Sequence, residues 1–230
     1  MYSRNVCLIP AKAASTRIPL KNLLKIKNKE LIFFGIDAAI KSKMFGKHVY
    51  VSTESKKIEK VAKKYGAQVP FLRNQKLAVD PAGVADVALD FLDRITDLRK
   101  CRNLFIILPT SPMINAQDII DAYSNFHRSK CNCLMSVSET EHNARRAIAI
   151  KNNKIVPLFK RHISKKSQEL EKTYYINGAI TIINIKSFLT NKTYFIYPMS
   201  AFVLPRERGV DIDSTIDYRW AKFLIEKNET

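Results

Sequence analysis

Glycine and cysteine are both scarce in this chain, and their scarcity limits what the chain can be. Its 230 residues include six glycines and four cysteines. No two cysteines form a CxxC pair, so neither a metal-binding nor a disulfide framework is expected, and a reducing compartment is favoured. No apolar run approaches about 20 residues, so no membrane span is predicted. The first residues also lack the apolar stretch of a signal peptide, and we expect a cytoplasmic protein.

Acidic residues are few relative to basic ones. Lysine and arginine number 39 against 21 aspartates and glutamates, which gives a formal net charge of +18. The lysines are scattered along helix-like stretches such as SKKIEKVAKKYG, as a solvated face would place them. Three interpretations stay open: a compositional bias towards lysine, an anionic small substrate, or nucleic acid. Nucleic acid is the least favoured, because no zinc finger, basic zipper or aromatic-rich RNA-binding strand is present.

The chain does contain a regular alternation of apolar runs and stretches with helical periodicity. The runs NVCLIP, HVYVST, LFIILP and CLMSVS predict strands, and the stretches between them, such as GVADVALDFLDRI, predict helices. This rhythm over residues 5–138 predicts an α/β fold with a mostly parallel sheet and helices on both faces. The length suits one domain spanning residues 1–230.

The rhythm breaks between about residues 144 and 176. RRAIAIKNNKIVPLF predicts a hairpin that turns at Asn152 and Asn153, and the polar, basic KRHISKKSQELEKTYY predicts a loop or short helix. GAITIINI then predicts a strand, and STIDYRWAKFLIEK predicts a closing helix. A hairpin outside the main rhythm indicates an insert, a lid or an oligomer contact.

Ligands of such sheets bind at the carboxyl ends of the strands, which directs attention to the segments AKAASTR, TES and PTSP. The first lies within IPAKAASTRIPLKN, which carries the cations Lys12, Arg17 and Lys21 and the hydroxyls of Ser15 and Thr16. A turn that leaves a strand often forms an anion-binding nest. The loop has no glycine, so it is neither a Walker A loop nor a GxGxxG turn. A solvated basic loop explains it equally well.

Two carboxylates stand two residues apart in GVDIDSTID. In an extended segment, Asp211 and Asp213 point to the same face and could hold one Mg²⁺, which prefers oxygen ligands. Ser214 and Asp217 resemble a helix N-terminal cap, and the negative charge of Asp213 would interact favourably with the helix dipole. Asp213 therefore has a structural explanation, whereas Asp211 has none and is the better metal candidate.

Two further polar segments are less specific. Thr110 and Ser111 follow a buried strand in PTSP, and Asn177 precedes a strand in YINGA. A proline-framed turn explains the first segment, and an ordinary turn explains the second. The histidines are dispersed, without a Ser-His-Asp order or metal-ligand spacing.

In chain order, IPAKAASTRIPLKNL, VSTES, LPTSP, NGAITI and DIDSTID resemble the successive motifs of acylneuraminate cytidylyltransferases and of their relatives for pseudaminic and legionaminic acids. The resemblance spans residue 5 to about 225. It implies a Rossmann-like fold and Mg²⁺-dependent transfer of CMP from CTP to the anomeric hydroxyl of a nine-carbon 2-keto sugar acid, with release of pyrophosphate. It also implies a homodimer in which the hairpin of residues 144–176 lends part of the active site to the partner.

The resemblance also implies roles for individual residues: Lys12 and Lys21 bind phosphate, Asn22 and Arg73 contact the base and sugar of the nucleotide, and Asn177 lies near the sugar acid. The expected catalytic residues are Lys12, Lys21 and Asp211, and the expected Mg²⁺ ligands are Asp211 and Asp213. The expected substrate-binding residues are Ser15, Arg17, Asn22, Arg73, Thr110, Ser111 and Asn177.

Several positions depart from the pattern of that family. Lys12 replaces an arginine, which keeps the charge but loses the bidentate fork. Val84, Leu108, Ile114 and Thr181 stand where the family often has Ser, Gln, Arg and Tyr. The changes favour a substrate other than N-acetylneuraminate, or weakened activity. Two alternatives stay open: activation of the eight-carbon acid Kdo, and a non-catalytic basic binding protein on the same scaffold.

Overall fold

A six-stranded sheet forms the centre of the computed structural model, which describes residues 5–227. Between these residues, no helix is long and apolar enough to cross a membrane. In chain order the strands are β1 (Asn5–Pro10), β2 (Lys25–Ile26), β3 (Lys29–Glu30), β4 (Val49–Ser52), β5 (Asn103–Ile107), β6 (Cys133–Glu139), β7 (Ile148–Lys151), β8 (Lys154–Pro157), β9 (Tyr174–Asn184) and β10 (Met199–Val203).

The central sheet has the order β10-β6-β9-β5-β1-β4. Strand β1 is parallel to β4 and β5, and β10 is parallel to β6, whereas β9 is antiparallel to both of its neighbours. Five strands therefore run one way, and the predicted mostly parallel sheet is confirmed. The loops at the carboxyl ends of these five strands gather along one edge of the sheet.

Helices cover both faces of this sheet, as the sequence predicted. Alternate residues of β1 face opposite sides of the sheet. Cys7 and Ile9 pack against α1, α2 and α4, and Val6 and Leu8 pack against α3 and α5. Both faces are buried, which explains why the strand reads as a continuous apolar run. The helices are α1 (Leu31–Lys41), α2 (Lys56–Lys64), α3 (Val84–Arg94), α4 (Ala116–Ser129), α5 (Ile185–Asn191) and α6 (Thr215–Lys227).

A third, smaller core lies under the closing helix α6. It joins Ile26 from the β2–β3 hairpin, Leu31, Ile212 and Ala221. Short 3-10 helices complete the fold at Lys21–Leu23, Gln75–Ala78, Thr96–Lys100, Ala144–Arg146, Lys160–His162 and Ser167–Glu169.

Strand β9 differs most from its prediction. It begins at Tyr174, four residues before the predicted GAITIINI, and it contains the Asn177-Gly178 pair that an ordinary turn would also explain. Gly178 has a φ of 72°, and the β6–β9 register shifts between Met135 and Val137. A bulge inside a strand uses the same residue types as a turn, so the sequence did not separate the two. The elements β2, β3, β10 and α5 were not predicted either.

The predicted hairpin in the 144–176 segment is confirmed. Strands β7 and β8 pair with each other and form a sheet separate from the central one. Asn152 and Asn153 have φ values of 48° and 60°, as a two-residue type I′ turn requires. The role of this segment in a dimer stays a prediction. So does the single domain over residues 1–230, of which the first four and last three lie outside the described residues.

Candidate active site

A cavity of about 260 Å³ opens where the loop after β1, the turn after β5 and the start of α3 meet. The cavity lies at the edge of the sheet where the parallel strands have their carboxyl ends, which is where ligands of such sheets bind. The expected site residues that line the cavity are Lys12, Ser15, Arg17, Lys21, Asn22, Arg73, Thr110 and Asp213. Asp211, Ser111 and Asn177 are not among the lining residues.

Hydrogen bonds fix the backbone of the loop after β1. The buried Asn22 donates from Nδ2 to the carbonyl oxygen of Lys12 at 2.9 Å. The backbone N–H of Ala13 donates to Oε1 of Glu54 at 2.6 Å. The side chains of Lys12 and Arg17 stay exposed at the cavity. The loop therefore displays its cations from a fixed backbone, although it contains no glycine.

Glu54 is a site residue that sequence reasoning missed. Its Oε2 forms an ion pair with Nη2 of Arg73 at 2.9 Å, and the two side chains are only 9% and 2% exposed. Burial lowers the pKa of the Arg73 guanidinium, and the Glu54 carboxylate opposes that shift. Glu54 stands at the carboxyl end of β4, in the TES segment that the strand-end rule selected. No other feature of the sequence marked Glu54 as a site residue, because its two partners, Ala13 and Arg73, lie 41 and 19 residues away along the chain.

Asp213 is paired with two of the three cations in IPAKAASTRIPLKN. Its carboxylate lies 2.9 Å from Nη2 of Arg17 and 2.9 Å from Nζ of Lys21. The cap predicted at the start of α6 is also formed, because the backbone N–H of Ser214 donates to Oδ2 of Asp217 at 2.7 Å. The hydroxyl of Ser214 accepts from the backbone N–H of Asp217 at 3.3 Å. Asp213 therefore neutralises cations at the rim of the cavity.

Asp211 is held in a different environment. Its Oδ1 atom is buried and has no hydrogen-bond partner in the part of the chain that the structure describes. Burial raises the pKa of this carboxyl group, and the negative charges of Asp213 and Asp217 raise it further. A hydrogen bond from the Thr110 hydroxyl and the positive charge of Lys21 act in the opposite direction. The backbone N–H of Ile212 donates to the carbonyl oxygen of Thr110 at 2.9 Å, which ties this segment to the turn after β5.

The carboxylates of Asp211 and Asp213 suit a magnesium ion. Mg²⁺ usually takes one or two protein carboxylates, several waters and the phosphates of a substrate. The buried Oδ1 of Asp211 has no hydrogen-bond donor among residues 5–227, so no such donor competes with a cation for it. Among residues 5–227, no cluster of three or more His, Cys, Asp or Glu side chains could hold a metal, so this chain would supply two carboxylates at most.

The remaining expected residues lie deeper in the protein. Ser111 is fully buried in the turn after β5, where its backbone N–H donates to the carbonyl oxygen of Leu108 at 3.2 Å. The side chain of Asn177 is also buried: its Oδ1 accepts from Ser136 Oγ at 2.6 Å and its Nδ2 donates to Ser138 Oγ at 2.9 Å. Contact of Ser111 or Asn177 with a substrate stays a prediction.

The positions that depart from the family pattern divide into two groups. Val84 and Leu108 line the cavity and give it an apolar wall. Ile114 and Thr181 are buried in the protein interior, where Ile114 joins the core under α1 and Thr181 sits in β9. Only the first group is placed to change what the cavity binds.

Comparison with known proteins gives matches along most of the chain. The family model described as Cytidylyltransferase matches residues 6–156. The chain is 32% identical over 227 residues to the pseudaminic acid cytidylyltransferase of Campylobacter jejuni subsp. jejuni serotype O:2, across 98% of this chain and 97% of that protein. It is 31% identical over 230 residues to the CMP-N,N'-diacetyllegionaminic acid synthase of Legionella pneumophila subsp. pneumophila, across 98% of both.

The fold also has a solved counterpart. The structure of CMP:2-keto-3-deoxy-manno-octonic acid synthetase complexed with CTP superposes with a TM-score of 0.72, across 97% of this chain and 99% of that one. The two sequences are 15% identical, so this likeness is one of fold.

Proposed function

The chain belongs to the cytidylyltransferase family, and we propose that it transfers CMP from CTP to the anomeric hydroxyl of a nonulosonic 2-keto sugar acid and releases pyrophosphate. The two relatives described above, which are matched along nearly their whole length, are named for pseudaminic and legionaminic acids. The enzyme for the eight-carbon acid shares the fold alone, so the nine-carbon acids fit better than Kdo. The observation that carries the proposal is one cavity lined by Lys12, Arg17, Lys21 and Asp213, with Asp211 beside it.

The cations of the loop after β1 bind the triphosphate. CTP brings about four negative charges, and the leaving pyrophosphate retains much of that charge, so fixed cations stabilise the transition state. Arg17 and Lys21 are paired with Asp213 before the nucleotide arrives. Phosphate oxygens then replace the Asp213 carboxylate as the partners of Arg17 and Lys21. Lys12 is exposed at the cavity and binds phosphate as a point charge.

Asp211, with Asp213 assisting, would hold Mg²⁺, which when bound would supply Lewis-acid neutralisation of the phosphate charge. Release of Asp213 from Arg17 and Lys21 would make its carboxylate available for that role. Arg73, held by Glu54, and Asn22, held against the loop backbone, orient the nucleotide. A fixed nucleotide keeps its α-phosphorus in line with the attacking hydroxyl of the sugar acid.

The 144–176 hairpin joins two copies of the chain into a homodimer. Ile148, Ile150 and Ile155 share one face of the hairpin, because Ile150 pairs with Ile155 and Ile148 with Pro157. Ile150 and Ile155 are 73% and 69% exposed. Exposed apolar side chains clustered on one face of a hairpin are typical of a surface that another chain covers. A cytoplasmic location stays a prediction from the sequence.

Pyrophosphate release tests the proposed reaction. The protein is incubated with CTP, Mg²⁺ and a panel of pseudaminic, legionaminic, N-acetylneuraminic and Kdo acids. We expect release only with CTP and a nine-carbon acid. Asp211→Asn should lower turnover by about 100-fold or more, the range for lost transition-state electrostatics, while the exposed Asp97→Asn serves as the control. Release with Kdo alone, or with none of the acids, contradicts the proposal.

A further inference from the structure

We propose that Ser138, Asn177 and Gly209 form a seat that fixes the position of Asp211. These three residues are called the Gly209 seat below. The inference rests on the proposed function, because it concerns the carboxylate assigned there to the metal. It makes Asn177 a positioning residue that acts through Asp211, with no contact to the substrate.

Gly209 approaches the sheet more closely than any other residue type could. A Cβ atom built on Gly209 would overlap Oγ of Ser138 and lie 2.7 Å from Nδ2 of Asn177. The φ angle of Gly209 lies outside the left-handed region, so close approach, and not turn geometry, is what requires glycine here. The chain therefore runs directly against β6 and β9, two residues before Asp211.

The sheet side of the seat is rigid. Both ends of the Asn177 amide are engaged, since Oδ1 accepts from Ser136 Oγ at 2.6 Å and Nδ2 donates to Ser138 Oγ at 2.9 Å. The hydroxyl of Ser138 in turn donates to the carbonyl oxygen of Leu204 at 3.2 Å. These groups stand on central strands, and such elements hold a site more precisely than loops do.

The segment that carries Asp211 is held at both ends. Before Gly209, Arg208 forms an ion pair with the nearly buried Asp118 through Nη1 and Oδ1 at 2.6 Å. After Asp211, the buried Ile212 donates its backbone N–H to Thr110 at 2.9 Å. Only Val210 separates Gly209 from Asp211, so a shift at the seat moves the carboxylate. Partners that orient a metal ligand typically change metal affinity by about 10- to 100-fold when they are lost.

Divalent-cation affinity tests the seat without measuring turnover. Binding of Mn²⁺ to the enzyme–CTP complex is followed by electron paramagnetic resonance. We expect Gly209→Ala to weaken Mn²⁺ binding by about 10-fold or more. Binding of CTP in EDTA, measured by calorimetry, should stay within about twofold, because the phosphate-binding cations lie on another loop. The control is Gly35→Ala, where the added Cβ meets only Ile107 Cγ2 at 3.4 Å.

A second pair of variants covers the case in which Gly209→Ala does not fold. Asn177→Ala removes the amide of the seat and should also weaken Mn²⁺ binding by about 10-fold. Combining Gly209→Ala with Ser138→Ala removes the overlapping hydroxyl and should restore part of the lost affinity. Asn177→Ala with unchanged Mn²⁺ affinity and a raised KM for the sugar acid overturns the inference, since Asn177 would then contact substrate.

The outcomes also separate this inference from the proposed function. If the wild-type enzyme turns over a sugar acid while Gly209→Ala binds Mn²⁺ as tightly as the wild type, the Gly209 seat is wrong and the proposed function stands. If wild-type protein with CTP neither binds Mn²⁺ nor releases pyrophosphate, both fail.

Discussion

At Asp211 the ionised carboxylate is unfavourable for folding but is the form that the proposed metal site requires. One carboxylate oxygen is buried without a hydrogen-bond partner among the described residues, and burial raises the pKa of the group. A desolvated carboxylate destabilises the folded protein when it ionises, yet the same charge attracts a cation. Such perturbed groups cluster at functional sites.

Asp211→Asn should therefore stabilise the metal-free protein at neutral pH. The pKa is raised on folding, so ionisation favours the unfolded state and the penalty is present at pH values above the folded pKa. It disappears as the pH falls below about 3.9, the usual unfolded value. Thermal unfolding between pH 3 and pH 8 should show a Tm gain that shrinks on acidification. The pKa of the exposed Asp97 is lowered by a hydrogen bond from Lys100, so Asp97→Asn should lower the Tm at neutral pH instead of raising it. A gain that grows on acidification contradicts this account.

Asp213→Asn should tighten the binding of CTP in the absence of metal. The substitution frees Arg17 and Lys21 from the carboxylate that competes with phosphate. Partly exposed ion pairs are worth about 0.2–1 kcal/mol each, which corresponds to a gain of about 2- to 30-fold for two pairs. Calorimetry in EDTA measures this affinity. Weaker binding in the variant would show instead that Asp213 holds the two cations in their phosphate-binding positions.

At the level of elements, the site depends on how two loops are joined. Glu54 follows β4 and accepts hydrogen bonds from Ala13 in the loop after β1 and from Arg73 in the segment before α3. Neither loop contains a glycine-rich phosphate motif, so the shape of the cavity comes from these cross-links between neighbouring segments. One carboxylate therefore sets the position of the cationic loop relative to Arg73.

Glu54→Gln should destabilise the fold and weaken nucleotide binding together. Removing one partner of a buried ion pair costs about 3–5 kcal/mol, because the remaining charge is left uncompensated. Urea denaturation measures the free energy of unfolding, and the KM for CTP should rise. The matched control is Glu171→Gln, which breaks the exposed pair with Arg145 and should cost less than about 1 kcal/mol. Equal losses in the two variants would contradict the structural role of Glu54.

At the scale of the whole molecule, the exposed isoleucines of the β7–β8 hairpin predict that two copies of the chain associate. Replacing Ile150 and Ile155 by Gln should shift the protein from dimer to monomer, since the two side chains supply the exposed apolar face. Analytical ultracentrifugation at several concentrations measures the equilibrium. Val203→Gln is the control, because Val203 is exposed on β10 in the central sheet. A double variant that sediments as the wild-type protein does would exclude this face as the interface.

The sequence predicted most of the fold because its signals are local. The apolar runs of β1 and β5 and the stripe of α3 follow strand and helix periods that a short window reveals. The bulge at Gly178 escaped this logic, since positive-φ residues also mark turns. Lys12 was predicted as a site residue from its place after a strand, and Asp211 from the spacing of two carboxylates and from the family motif; both roles stay predictions.

What the sequence by itself determined is the alternation of the main strands and helices, the family and the set of charges brought to one edge of the sheet. Only the tertiary structure decided which charges pair. Asp213 lies with Lys21, 192 residues away, and Glu54 lies with Arg73 in the interior. The amide of Asn177 is engaged by serines of β6, and Gly209 packs against the same group. These contacts join residues distant in sequence, and burial sets their strength, so no local pattern encodes them.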